Sequence, residues 1–380
     1  MPDALVVLAE RPLHLIWSSV ACSGDACAGD IANVCQRVES RCCGTGSAIG
    51  HSDRVLARDN GCERVQNERY LMRTGQPISL ILDTTSPRAR KWYWRIVRFP
   101  LARLILAAFM VMLAASGPFV LILLAFDQPV GNANDGIMLL AVSAAVIGGV
   151  LAYWLYVRLI EWRGLEELAM RGALKETGLG VIVGVGLIAA VIGVIALTGG
   201  YRITGMNPPS AMVGAFSIAV MSGCVEEIVA RGVIFRIVEE SMGTWISTLI
   251  SAALFGLLHA NNPNATTFSS IAIAVSAGPL LAGAYVLTRR LWLCMGIHFG
   301  WNFALAGIFG AAMSGNDMEG LLECELSGPE WISGGAFGPE ASVVTITMCI
   351  ALSVVFYVLA AKRGLIVKAF WNRRGGKWRR

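Results

Sequence analysis

Two adjacent glutamates and an arginine sit inside "FSIAVMSGCVEEIVARGVIF", residues 216–235, a stretch otherwise apolar enough to cross a membrane. Ionisable groups in a span cost roughly 2.5–3.5 kcal/mol each, so three together need compensation. Glu227 and Arg231 are four apart and share a helical face, so they can pair. Glu226 lies about 100° further round the helix and is not claimed by that arginine. A carboxylate in a low-dielectric site, near a cation but not on it, can serve as a base or a metal ligand. The competing reading is a structural ion pair that anchors neighbouring helices.

Of the four histidines, only His259 and His298 fall in the apolar part of the chain. His259 ends "FGLLH" (255–259), where Phe255 and His259 share a face; His298 begins "HFGWN" (298–302), where His298 and Asn302 do. A near copy of the glutamate motif, "GLEELAMRGAL", occupies 164–174 within the charge-rich "EWRGLEELAMRGALKETG". That context predicts an amphipathic or interfacial helix with a solvated Glu167–Arg171 pair worth a few tenths of a kcal/mol. Nucleophile chemistry is poorly supported. Ser222 has no G-x-S-x-G elbow around it, and Cys224 sits in an apolar span, which disfavours a thiolate.

The elements that must position these groups follow from composition. Of 380 residues 55% are hydrophobic and 15% charged, which excludes an ordinary soluble protein and predicts an all-α polytopic membrane protein with an enclosed polar site. About eight segments are apolar enough to span, at 104–126, 135–159, 179–198, 211–235, 244–260, 268–288, 291–311 and 342–361. Loops rich in Lys and Arg alternate with loops poor in them, and 312–341 holds six acids and no base. The positive-inside rule then puts both termini in the cytoplasm of a cell, read as bacterial, with the protein integral to its membrane. The net charge of +5 clusters at span ends, where it would face anionic membrane lipid; no nucleic-acid motif accompanies it. Residues 1–98 hold six cysteines without zinc-ribbon spacing and read as a cytoplasmic extension, disordered or non-native. The transmembrane domain covers 99–365 and a basic cytoplasmic tail 366–380. Glycines at 178, 180, 184 and 186 lie in a span, so they predict close helix packing and not a phosphate loop.

The ordered set Glu-Glu-x-x-x-Arg, Phe-x-x-x-His and His-x-x-x-Asn resembles the CAAX-protease and bacteriocin-processing intramembrane endopeptidases, the CPBP family or "Abi" group. "LTRRLWLCMGIHFGWNF" (287–303) is similar to that family's lead into its last motif, and the resemblance covers about 210–306. It implies a membrane endopeptidase that cleaves a membrane-associated protein or peptide. Glu226 would be the general base, Glu227 and Arg231 would complete the first motif, and His259 would hold the water. His298 and Asn302 would stabilise the oxyanion. The family is usually labelled a metalloprotease. Zinc on Glu226, His259 and His298 and a metal-free glutamate-dependent site therefore both stand, although no His-Glu-x-x-His motif is present. Two readings compete with the enzyme: a non-enzymatic scaffold or bacteriocin-immunity protein of the same fold, and an ion-coupled transporter. The sequence shows no inverted-repeat signal and no pair of broken helices, which counts against the transporter. Counting 1.5 Å per residue puts His259 about 24 Å across the membrane and His298 about 10 Å deep. Their meeting therefore requires offset helices.

Overall fold

The computed structural model describes residues 92–129 and 134–372. The expectation for the N-terminal extension thus falls, up to residue 91, outside the described residues, as does the tail beyond 372. Among the described residues six helical stretches are long and apolar enough to cross a membrane, and a shorter one covers Trp292–Ile308. The protein is an all-α polytopic membrane protein.

The helices are α1 (Pro100–Ala125), α2 (Asp135–Tyr156), α3 (Ala173–Leu197), α4 (Met212–Met221), α5 (Arg236–Leu258), α6 (Thr267–Val275), α7 (Ala277–Thr288), α8 (Trp292–Asn302) and α9 (Val343–Lys362). On α1 the large side chains of Leu101, Ile105, Phe109 and Leu113 form an exposed i, i+4 stripe, as a lipid-facing helix requires. α4 continues through widened π-type turns at Ser222–Glu226 and Ile228–Phe235 into α5, a run of 53 residues from Pro209 to Asn261. Straight, it would measure about 80 Å, against a hydrocarbon core of about 30 Å. It breaks at Gly243, where φ is 77° and ψ 171°. A Cβ there would lie 2.6 Å from the Ala369 amide nitrogen, so only glycine fits. The C-terminal segment docks at this break: Thr244 N–H donates to the Val367 carbonyl at 3.0 Å, and Val367 N–H to Thr244 Oγ1 at 2.8 Å. With this break, each of the eight expected segments contains a helix.

A second break at Ser276 separates α6 from α7. The expectation of unbroken helices therefore fails at two places. The loops after α3 and before α9 also hold structure that the sequence pattern did not announce. Strands β1 (Tyr201–Met206) and β2 (Leu322–Leu326) pair antiparallel, with a bulge between Ile203 and Gly205.

α3 packs closely on α8. Added Cβ atoms at Gly180 and Gly184 would lie 2.5 Å from the Leu293 carbonyl oxygen and 2.3 Å from that of Ile297. From the other side, Gly296 and Gly300 meet Thr177 and Val181 backbone in the same way. Small residues let the two backbones touch, which fixes the height and rotation of the helix that carries His298 and Asn302. Gly178 and Gly186 have nothing within 4 Å, so the packing role divides the four glycines evenly.

The segment 161–178 departs from the expectation. It holds a single tight turn, Glu166–Leu168, and α3 begins only at Ala173. Glu167 is buried and pairs with Arg163 at 2.9 Å and Arg236 at 3.3 Å, whereas Arg171 is exposed. Glu161, also buried, binds Arg103 (2.5 Å), Arg163 (2.6 Å) and Arg236 (2.7 Å). Glu240 completes the network on Arg103 and Arg236. The physical reason is desolvation. A buried arginine needs carboxylates around it, and Arg236 recruits them from a loop about seventy positions earlier. These arginines therefore face glutamates, not headgroups.

Candidate active site

Glu227 and Arg231 are both fully buried and pair at 2.8 Å, the i, i+4 contact read from the sequence. Arg231 also donates to the Gly278 carbonyl at 3.2 Å, just past the Ser276 break, and its guanidinium lies 4.6 Å from the centre of the Phe255 ring. Phe255 is the hub of the site, with ring centroids 4.7 Å from His259 and 6.0 Å from His298. The first residue of "FGLLH" thus supports the cation of one motif and the imidazoles of the other two.

The two histidines line one cavity despite their different counted depths. α8 starts inside the protein, with Leu291 fully buried and its N–H donated to the Glu167 carbonyl at 2.9 Å. His298 directs Nδ1 to Glu227 Oε1 at 2.8 Å, and its Nε2 lies 4.0 Å from Glu226 Oε2. The Arg231-paired carboxylate of Glu227 accepts, so Nδ1 carries the proton and Nε2 is left on the side of Glu226. His259 Nδ1 faces its own helix, 2.7 Å from the Phe255 carbonyl, which can only accept. Its Nε2 is therefore free as an acceptor. Asn302 donates through Nδ2 to Ser222 Oγ at 2.8 Å, one hydrogen of that amide remaining for another acceptor.

His259, His298 and Asn302 line one cavity, walled on its apolar side by Ile273, Leu280 and Ile297. Glu226 reaches this group only through His298, and its side chain is 43% exposed, not enclosed with the rest. Gly223 brings the two helices to this distance: a Cβ there would sit 3.1 Å from Phe299 N and 3.2 Å from the Met295 carbonyl oxygen. At 4.0 Å the Glu226 and His298 atoms are too far apart for a direct hydrogen bond, but one water can contact both.

The zinc expectation requires donors of Glu226, His259 and His298 to converge on one point. Among the described residues no group of three His, Cys, Asp or Glu side chains does so. As placed, the donors of Glu226, His259 and His298 do not form such a group.

Residues 208–304 match the family model described as type II CAAX prenyl endopeptidase, Rce1-like. This stretch is similar to an Rce1-like endopeptidase domain. It spans about a quarter of the 380 residues and contains every candidate site residue named from the sequence. No curated protein and no solved structure matches the chain. The matched stretch is CAAX-protease-like, and the long apolar helices make the protein integral to a membrane.

Sequence reasoning missed three residues at the site. Ser222 was weighed only as a nucleophile, but it holds Asn302. Trp301 and Glu340 line the cavity from opposite sides of a hydrogen bond between them. An acid in "FGPEASVV", at the mouth of an apolar span, was the one available signal for Glu340.

Proposed function

We propose that the protein is an intramembrane endopeptidase in which Glu226 is the general base for hydrolysis of a peptide bond by water. The observation that carries this reading is the chain Arg231–Glu227–His298–Glu226. One carboxylate holds Nδ1 of the histidine, and the second lies across a water-sized gap from Nε2. Glu226 takes the proton of a water held against His298 and passes it to the leaving amine, work that contributes about 10²- to 10⁴-fold. His259, with Nε2 free, holds or polarises that water. Asn302 donates to the oxyanion of the tetrahedral intermediate, and His298 joins it in its doubly protonated form, through Nε2–H, each donor contributing up to a few kcal/mol. Glu227 and Arg231 do not touch the substrate; they fix the tautomer and pose of His298.

The substrate is a membrane-associated protein or peptide. The Rce1-like match favours a prenylated C-terminal peptide among the candidates, and the apolar cavity wall beside the histidines is compatible with one. The route is metal-free and glutamate-dependent, supported by the lack of converging donors. Both termini lie on the cytoplasmic side of a cell membrane, a placement that rests on the alternation of basic loops.

The test is cleavage of a prenylated C-terminal peptide, its unprenylated form, a leader peptide and a transmembrane peptide by purified protein in ¹⁸O-labelled water. Hydrolysis should place the label in the new carboxylate and should persist in chelator. Failure to cleave any of the four, or cleavage lost to chelator and restored by zinc, would contradict the proposal.

A further inference from the structure

Glu340 lies outside the 208–304 match and outside every motif of the sequence, yet it is only 5% exposed and borders the cavity that holds His259, His298 and Asn302. Burying a carboxylate is expensive unless its oxygens are taken up. Here Oε1 accepts Trp301 Nε1–H at 3.0 Å, and Oε2 accepts both the Ser314 hydroxyl at 2.8 Å and the Ser314 backbone N–H. Among the described residues it forms no ion pair. A costly group is thus held by neutral donors, and each donor leads to a different side of the site.

Trp301 stands in α8 between His298 and Asn302, so a fixed indole fixes the rotation of the turn that carries both. Ser314 and Gly315 form a tight loop with positive φ at both residues (49° and 84°). Two amides hold this loop from the other side: Asn262 Nδ2 donates to the Ser314 carbonyl at 3.0 Å, and Asn264 Nδ2 to that of Gly315 at 3.1 Å. Asn262 follows His259 by three residues, beyond the short turn His259–Asn261. Glu340 is itself anchored in a turn, Pro339–Ala341, at the head of α9. There Thr345 donates to the Pro339 carbonyl at 2.7 Å and Ser342 caps the helix.

We propose that Glu340 is a positioning residue that ties the His298–Asn302 helix to the His259 end of the site, through Trp301 on one side and the Ser314 loop on the other. It acts on geometry and not on substrate. The inference deepens the proposed endopeptidase reading and rests on it.

Glutamine at 340 keeps one acceptor but opposes an NH₂ to one of the two N–H partners, Trp301 or Ser314. Trp301→Phe removes the indole donor alone. Glu340→Gln and Trp301→Phe should each lower kcat about tenfold with KM within about twofold, because the displaced groups act in the transition state. The double variant should be no more than about threefold worse than either single one, since the two changes break the same link. A purely structural role would instead lower the folded fraction and leave kcat per folded molecule unchanged. An unchanged kcat, a loss confined to KM, or effects that multiply in the double variant would each overturn the proposal.

A second measurement does not depend on activity. Cys349 lines the same cavity and is 2% exposed, so its alkylation by N-ethylmaleimide, mapped at the peptide level, reports closure of the cavity. Labelling should be several-fold faster in Glu340→Gln than in the wild type, and equal rates would refute the tie. Glu226→Gln separates the two ideas. If it is inactive while Glu340→Gln behaves as wild type in both assays, only the positioning role fails. If Glu226→Gln keeps full turnover while Cys349 opens in Glu340→Gln, the tie stands and the assignment of the base fails.

Discussion

A methyl group added to Gly184, far from any reacting atom, should nearly silence the enzyme. Its Cβ would lie 2.3 Å from the Ile297 carbonyl oxygen, where ordinary contact begins at 3.4 Å, so α3 and α8 must part locally by about 1.1 Å. Ile297 immediately precedes His298, and the same Cβ also presses on Trp301 N at 2.8 Å. The displacement therefore arrives at the histidine and at the turn carrying Asn302. A misplacement of about 1 Å in a positioned catalytic group can cost about 10²-fold in rate. The assay is kcat/KM of purified Gly184→Ala on the cleaved peptide, with the thermal midpoint in detergent as the check on folding. Gly186→Ala supplies the control on the same helix, since nothing lies within 4 Å of that position. Alanine there should be neutral or, by helix propensity, stabilising by up to about 1 kcal/mol. Gly184→Ala within about threefold of wild type, or Gly186→Ala equally damaged, would refute the claim that this contact sets the pose of His298.

Glu227→Gln should be destabilised by about 3–5 kcal/mol as well as inactive, because it strands the buried Arg231 charge; a normal thermal midpoint would contradict this. Glu167→Gln should lower stability by about 3 kcal/mol through Arg163 and Arg236, as chemical denaturation would register. Glu166→Gln and Arg171→Gln, both exposed, should stay within about 0.5 kcal/mol of wild type. Ser222→Ala should reduce kcat by up to about tenfold with unchanged KM, because Asn302 loses the partner that orients its amide; a rise in KM alone would place Ser222 on the substrate.

What could be read in the sequence was whatever lies within one helical turn. Glu227 with Arg231, Phe255 with His259, and His298 with Asn302 are i, i+4 pairs, and a helix delivers such pairs whatever surrounds it. Span positions were legible for a related reason, since each apolar run must satisfy its own backbone in lipid. Contacts between remote segments were not legible. Glu167 looked like a solvated copy of the motif because, although Arg163 is only four positions away, the buried Arg236 that draws it inside lies 69 positions on, beyond any periodicity. Glu340 meets Trp301 across 39 positions through an irregular loop, where no pattern of hydrophobicity constrains the pairing. The exposure of Glu226 was hidden as well, because helical phase gives direction but not what stands opposite.

The central claim is that Glu226, across a water from His298, is the base. The most direct measurement is kcat of purified Glu226→Gln on the peptide that the wild type cleaves, with folding verified by an unchanged thermal midpoint. The side chain is partly exposed and forms no close ion pair, so the substitution should not disturb the fold. The predicted result is a loss of about 10²-fold or more in kcat in a fully folded protein. A folded Glu226→Gln that cleaves within a few-fold of wild type would contradict it.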